Sequence, residues 1–150
     1  MKLRIIGATN PTQRKNLRDL AHFTVEQIVR PGISKNLKIT INLRRNGMEG
    51  TIGLCHPNDD SNHLPRKFAI DLCVRQCRES LLQTLAHELV HVKQFAHNEL
   101  KFLHNTLLKD RWKNKYVSTN VPYERKPWEK EAYSKEHKLL AKWKTARKIQ

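Results

Sequence analysis

Between Ser80 and His104 the chain reads SLLQTLAHELVHVKQFAHNELKFLH, with apolar residues at helical spacing. The spacing predicts one long helix over 80–104, with Leu82, Leu85, Ala86, Leu89 and Ala96 near one side. In its middle stands His87-Glu88-Leu89-Val90-His91, an HExxH pattern. Side chains four residues apart on a helix lie one above the other. Two imidazoles so placed can close on one metal ion from the same side. Glu88, directly after His87, can lean toward water held by that ion and accept its proton. With eight His and nine Glu in 150 residues, shuffling yields ~0.025 such matches per chain, so composition alone does not account for it. The other reading of the same residues is a surface helix with two solvated His and an ion-paired Glu.

A catalytic zinc site takes three protein ligands and keeps one position open. Four residues after the motif are candidates for the third: His97, His104, Glu129 and Glu131. His97 stands ten residues after His87, about 15 Å along an unbroken helix. The spacing is similar to the metzincin pattern HExxHxxGxxH, which needs a Gly to turn the chain, but the sequence has Gln94 there, so His97 reads as solvated. His104 reaches the site only if the chain turns sharply after about residue 98. Glu129 and Glu131 lie in YERKPWEKEAY, where Pro127 suits the first turn of a helix. A carboxylate at 129 suits that helix start with or without a metal. Residues two apart on a helix point about 200° apart, so only one of the two Glu can face the ion.

The rest of the chain predicts one α+β domain. Residues 2–6 read as a short leading strand. Leu17, Leu20, Ala21, Val25, Ile28 and Val29 predict an amphipathic helix over about 12–30, ended by Pro31-Gly32. Leu37, Ile39, Ile41 and Leu43 alternate with polar residues as in a half-buried strand. Asn46-Gly47 is a turn pair, and 51–55 reads as a second strand. Phe68, Ile70, Leu72 and Val74 mark a third over 67–74. The short connections predict a three-stranded, mainly antiparallel meander. Residues 105–122 give no clear assignment. A last helix over 127–148 buries Trp128, Ala132, Leu139, Leu140 and Trp143.

The net charge of +15 is unevenly spread. Residues 1–100 carry 15 basic and 9 acidic groups, and 101–150 carry 14 and 5. That excess implies either a polyanion partner, most simply nucleic acid, or a Lys-rich solvated face. Trp112, Tyr116, Trp128 and Trp143 among the basic residues are candidates for stacking on bases. No apolar run is long enough to span a membrane, and the N-terminal residues carry no secretory pattern. Cys55, Cys73 and Cys77 form no disulfide framework, which fits a reducing, cytoplasmic setting.

HELVHVKQ, RWKNKY and YERKPWEKEAY together resemble the small SprT-like or gluzincin-type metallopeptidases common in bacteriophage genomes, over roughly residues 35–135. The resemblance implies a minimal zincin-like domain and a Zn2+ cofactor held by His87, His91 and a third ligand on the C-terminal helix. In gluzincins that ligand is a Glu in an E-x-x-A pattern, matched here by Glu129 to Ala132. The SprT pattern uses a third His instead, which points to His104, and Tyr133 stands where many gluzincins have Asp or Asn. The implied activity is hydrolysis of a protein or peptide substrate with Glu88 as base, in the host cytoplasm if phage-encoded. Tyr116, Tyr123 and Tyr133 are candidates to stabilise the oxyanion, against plain packing or structural hydrogen bonds, and the 67–74 strand is either the edge that pairs with extended substrate or an ordinary core strand. DNA-associated proteins are one possible substrate. A basic nucleic-acid-binding module with a structural or inactive zinc site is the alternative.

Overall fold

The computed structural model describes residues 1–59, 64–103 and 108–148. Strand β1 (Lys2–Ile6) leads into helix α1 (Pro11–Ile28). Asn10 caps α1 by accepting from the Gln13 amide, and Pro11 fills a first-turn position that needs no donor. A short helix, α2 (Pro31–Ser34), follows where the sequence suggests only a stop. The chain then returns as β2 (Lys38–Arg44), parallel to β1. Parallel neighbours need a crossover, and α1 supplies it.

The sheet corrects the expected three-stranded antiparallel meander. It has four strands in the order β1-β2-β4-β3. After β2 the chain passes to the far edge and runs back as β3 (Gly53–Pro57). It then hairpins into β4 (Lys67–Cys73), which fills the gap beside β2. β2 and β4 are therefore parallel, and only β3 and β4 are antiparallel. Alternation identifies the face a residue occupies but not the strand beside it. The core face is as expected: Ile39, Ile41, Leu43, Phe68, Ile70 and Leu72 are all buried. Full burial of such a side chain contributes roughly 1.5–3 kcal/mol.

Helix α3 (Arg78–Ala96) carries the HExxH residues and ends well before the expected residue 104. Its end is a left-handed cap at Asn98, φ 60°. The Glu99 amide donates to the Gln94 carbonyl at 2.8 Å and the Asn98 amide to the Phe95 carbonyl at 3.0 Å. This pairing is a Schellman motif with Asn in the usual glycine position. The Arg111 side chain also donates to Asn98 Oδ1.

A second, three-stranded sheet is built of β5 (Leu100–Lys101), β6 (Lys109–Trp112) and β7 (Lys115–Ser118). Lys113 and Asn114 turn β6 into β7 with φ of 46° and 67°, the geometry of a tight primed turn. A 3-10 turn at Tyr123–Arg125 leads into α4 (Pro127–Lys148). Trp128, Ala132, Leu139, Leu140 and Trp143 are buried, as their spacing predicts. Trp128 and Trp143 thus belong to the core, not to a base-stacking surface.

α1 and α3 cover the core face of the four-stranded sheet, and α4 packs across α3 from the other side. Fourteen of the nineteen α3 residues are buried, so this helix is the centre of the molecule and not an amphipathic surface element. Among the described residues no helix is long and apolar enough to cross a membrane. Replacing Asn98 by Ala should lower stability by about 1 kcal/mol, because alanine disfavours the left-handed cap. A lower urea midpoint at unchanged m would register it, with Asn98→Gly milder.

Candidate metal centre

The site lies between α3 and α4. His87 and His91 project from one face of α3, and Glu129 projects toward them from the first turn of α4. All three are buried. Glu129 Oε2 is 3.1 Å from His87 Nε2, and its Oε1 is 3.3 Å from His91 Nε2. The two Nε2 atoms are 3.2 Å apart. One donor atom from each residue falls within 4.8 Å of the other two. These three residues could hold a metal ion.

The outer ring nitrogens are occupied. His87 Nδ1 lies 2.7 Å from Glu136 Oε2, and His91 Nδ1 lies 2.8 Å from Gln94 Oε1. Both partners are acceptors, so each Nδ1 carries a hydrogen and each Nε2 faces Glu129, donating to its carboxylate when the ring is protonated and free to offer a lone pair to a metal when it is neutral. The partners are held in turn. Gln83 Nε2 donates to Glu136 Oε1 at 2.7 Å, and Gln94 Nε2 donates to the Trp128 carbonyl at 3.0 Å. Such outer hydrogen bonds fix the tautomer and orientation of metal-binding His.

The donor set suits a cation on charge as well. Glu88, Glu129 and Glu136 are all buried around two imidazoles, an excess of negative charge that protons or a metal must offset. Burial pushes Glu129 up, but hydrogen bonds and charge from His87 and His91 outweigh it and hold its carboxyl at about 2. Burial pushes both His down, yet Glu129 and Glu88, with Glu136 at His87, raise them above the ordinary value. Glu88 is raised by burial, against the pull of His91 and His87.

Glu88 faces the edge strand. A Cβ on Gly53 of β3 would come within 2.7 Å of Glu88 Oε1 and 2.4 Å of Thr84 Cγ2. Only glycine lets β3 lie this close to α3. Two cavities meet along this line, and both are lined by Gly53, Leu54, Glu88 and Tyr123. The larger, about 510 Å³, extends past Gln83, Tyr133 and Glu136. The smaller, about 130 Å³, extends past Phe95, Phe102 and Trp128.

The structure thus brings together His87, Glu88, His91 and Glu129. Glu131 points away, into ion pairs with Lys93 and Lys113 at 3.2 Å each. His97 caps α3 and accepts from the Arg30 amide at 3.3 Å, half-buried and not solvated. His104 lies outside the described residues. Tyr123 and Tyr133 line the larger cavity, and the Tyr133 ring lies 4.7 Å from that of His87. Tyr116 is 68% exposed on β7 and lines neither cavity. Three residues that touch the site went unread in the sequence: Glu136, Gln94 and Gly53. Glu136 stands two helical turns after Glu129 on the same face, a spacing that could have revealed it. Cys55, Cys73 and Cys77 are all free thiols.

Comparison with protein-family models, with curated proteins and with solved structures finds no match.

Burial pushes the Glu131 carboxyl up, but Lys93, Lys135 and Gln94 outweigh it and hold it at about 2, against an ordinary 4.5. Its ionised form therefore stabilises the fold above the ordinary value, and that contribution fades as pH falls toward about 2. Glu131→Gln should cost roughly 1–3 kcal/mol at neutral pH. Denaturant titrations of both proteins should converge as pH falls from about 5 toward 2.

Proposed function

We propose that the chain is a zinc-dependent metallopeptidase, with His87, His91 and Glu129 as ligands and Glu88 as general base. The observation that carries this reading is the convergence of two Nε2 atoms and one carboxylate beside an open cleft that Glu88 also lines. A structural zinc site is closed by four protein donors. The described residues supply three, with a cavity alongside.

When bound, Zn2+ would supply Lewis-acid chemistry, lowering the pKa of water and polarising a carbonyl. The protein's own residues do the rest. Glu88, buried and raised in pKa, accepts the proton of the attacking water and delivers it to the leaving amine. Glu136 and Gln94 keep the imidazoles in the tautomer that offers Nε2. Tyr123, whose pKa is raised by burial and by the Glu129 carboxylate, stays protonated and can donate to the developing oxyanion.

Substrate would lie along β3. The expected edge strand, residues 67–74, is flanked on both sides by β2 and β3 and has no free edge. β3 is the edge strand against α3, and an extended peptide could pair with it beside Glu88. The three free thiols fit the reducing cytoplasm of a cell or host.

Glu88→Gln should lower kcat on a denatured protein or a peptide library by about 10²–10⁴-fold while leaving metal content unchanged. Fluorescence release from quenched peptides would measure it. Unchanged turnover in this variant would remove Glu88 as the base.

A further inference from the structure

β1, β2 and β4 pair in parallel register, so the sheet face turned away from the helices is an ordered grid. One row across it is Lys2, Lys38 and Lys67, on strands spaced about 4.8 Å apart. Arg4 stands in the next row beside Thr40. All four basic side chains are exposed. Asp71 is the single carboxylate these four strands carry. It is already engaged by Asn42 Nδ2 at 2.9 Å and Arg44 Nε at 3.3 Å. Among the described residues Lys2, Arg4, Lys38 and Lys67 make no ion pair.

Like charges directly opposite on neighbouring strands destabilise a sheet. Three lysines abreast call for closely spaced negative charge from outside the fold. The charge balance of the surface points the same way. Of the fourteen acidic residues, Glu88, Glu129, Glu136 and Asp110 are buried, so the exposed surface as a whole is more basic than the formal +15.

We propose that this open sheet face binds the phosphate backbone of nucleic acid without reading base sequence. The charge spacing favours that partner. Per length of axis a duplex carries one charge per ~1.7 Å, both strands counted, whereas an extended acidic peptide presents side chains to one face only about every 6.8 Å. An anionic membrane would need apolar side chains among the basic ones. The exposed Ile6 and Leu54 stand instead in the Asn42–Asp71 row, four residues along the strands from the lysines. Among the described residues these strands turn no Phe, Tyr or Trp outward, and His56 of β3, exposed beside Ala69, is the one ring on this face, so the contact is chiefly electrostatic. The proposal does not depend on the peptidase reading, and its test reads binding alone.

The test is fluorescence anisotropy of the full chain with a duplex of arbitrary sequence, at about 50 and 200 mM salt. Wild type should bind at low salt and weaken steeply as salt rises. Lys38→Gln with Lys67→Gln should weaken binding about tenfold or more and reduce the log–log salt slope by about 2. Lys138→Gln with Lys142→Gln removes the same charge from the exposed face of α4 and should cost less than about threefold. Lys38→Arg with Lys67→Arg should retain binding. The Lys38→Gln protein should melt at or above the wild-type temperature, because repulsion is relieved. Equal losses in the two Gln pairs, no retention at low salt, preference for phosphatidylserine vesicles over DNA, or a clearly lower melting temperature would each overturn the proposal.

Discussion

Two imidazole rings share one orientation problem: each has two nitrogens, and only one can face a metal. Here the problem is solved by what binds the other nitrogen. Glu136 takes the Nδ1 hydrogen of His87 and Gln94 takes that of His91, which leaves both Nε2 atoms aimed at the Glu129 carboxylate. The arrangement is buried, so its polar groups must be satisfied internally. A chain of side-chain hydrogen bonds through Gln83, Gln94 and the Trp128 carbonyl does so.

The architecture follows from giving this helix pair a rigid frame. α3 is enclosed by the sheet on one side and by α4 on the other, so His87 and His91 have little freedom to turn. α4 is held against it by Trp128, Leu140 and Trp143, which join the main core. That packing sets the position of Glu129, one residue after Trp128. On the sheet side, Gly53 lets β3 approach α3 at the level of Glu88. His87, His91, Glu88 and Glu129 are therefore positioned by the contacts of one central helix with the sheet and with α4, and the cleft opens where β3 ends the sheet.

Much of the site was legible because its chemistry is local. His87, Glu88 and His91 were read from the HExxH pattern together with helical spacing. Glu129 came from the resemblance of its helix start to a known pattern, and the fold brings it within 3.1 Å of His87 Nε2. Glu136 and Gln94 were missed because a residue that orients a ligand has no motif of its own. The strand order was also illegible. Ile39, Ile41, Phe68 and Ile70 alternate identically in a meander and in the observed mixed sheet, and only long-range packing distinguishes them. The early end of α3 turned on Asn98, an unremarked polar residue in a helical pattern. The β6–β7 turn uses Lys113-Asn114, where an Asn-Gly pair would have announced it.

The central claim is that two imidazoles and the Glu129 carboxylate together bind a divalent ion. Metal analysis of the purified chain beside its Glu129→Ala and Glu131→Ala variants tests it directly. The account predicts about one zinc per wild-type chain, loss of most of it in Glu129→Ala, and full retention in Glu131→Ala. A wild-type protein that binds no metal, or a folded Glu129→Ala protein with undiminished zinc, would contradict it.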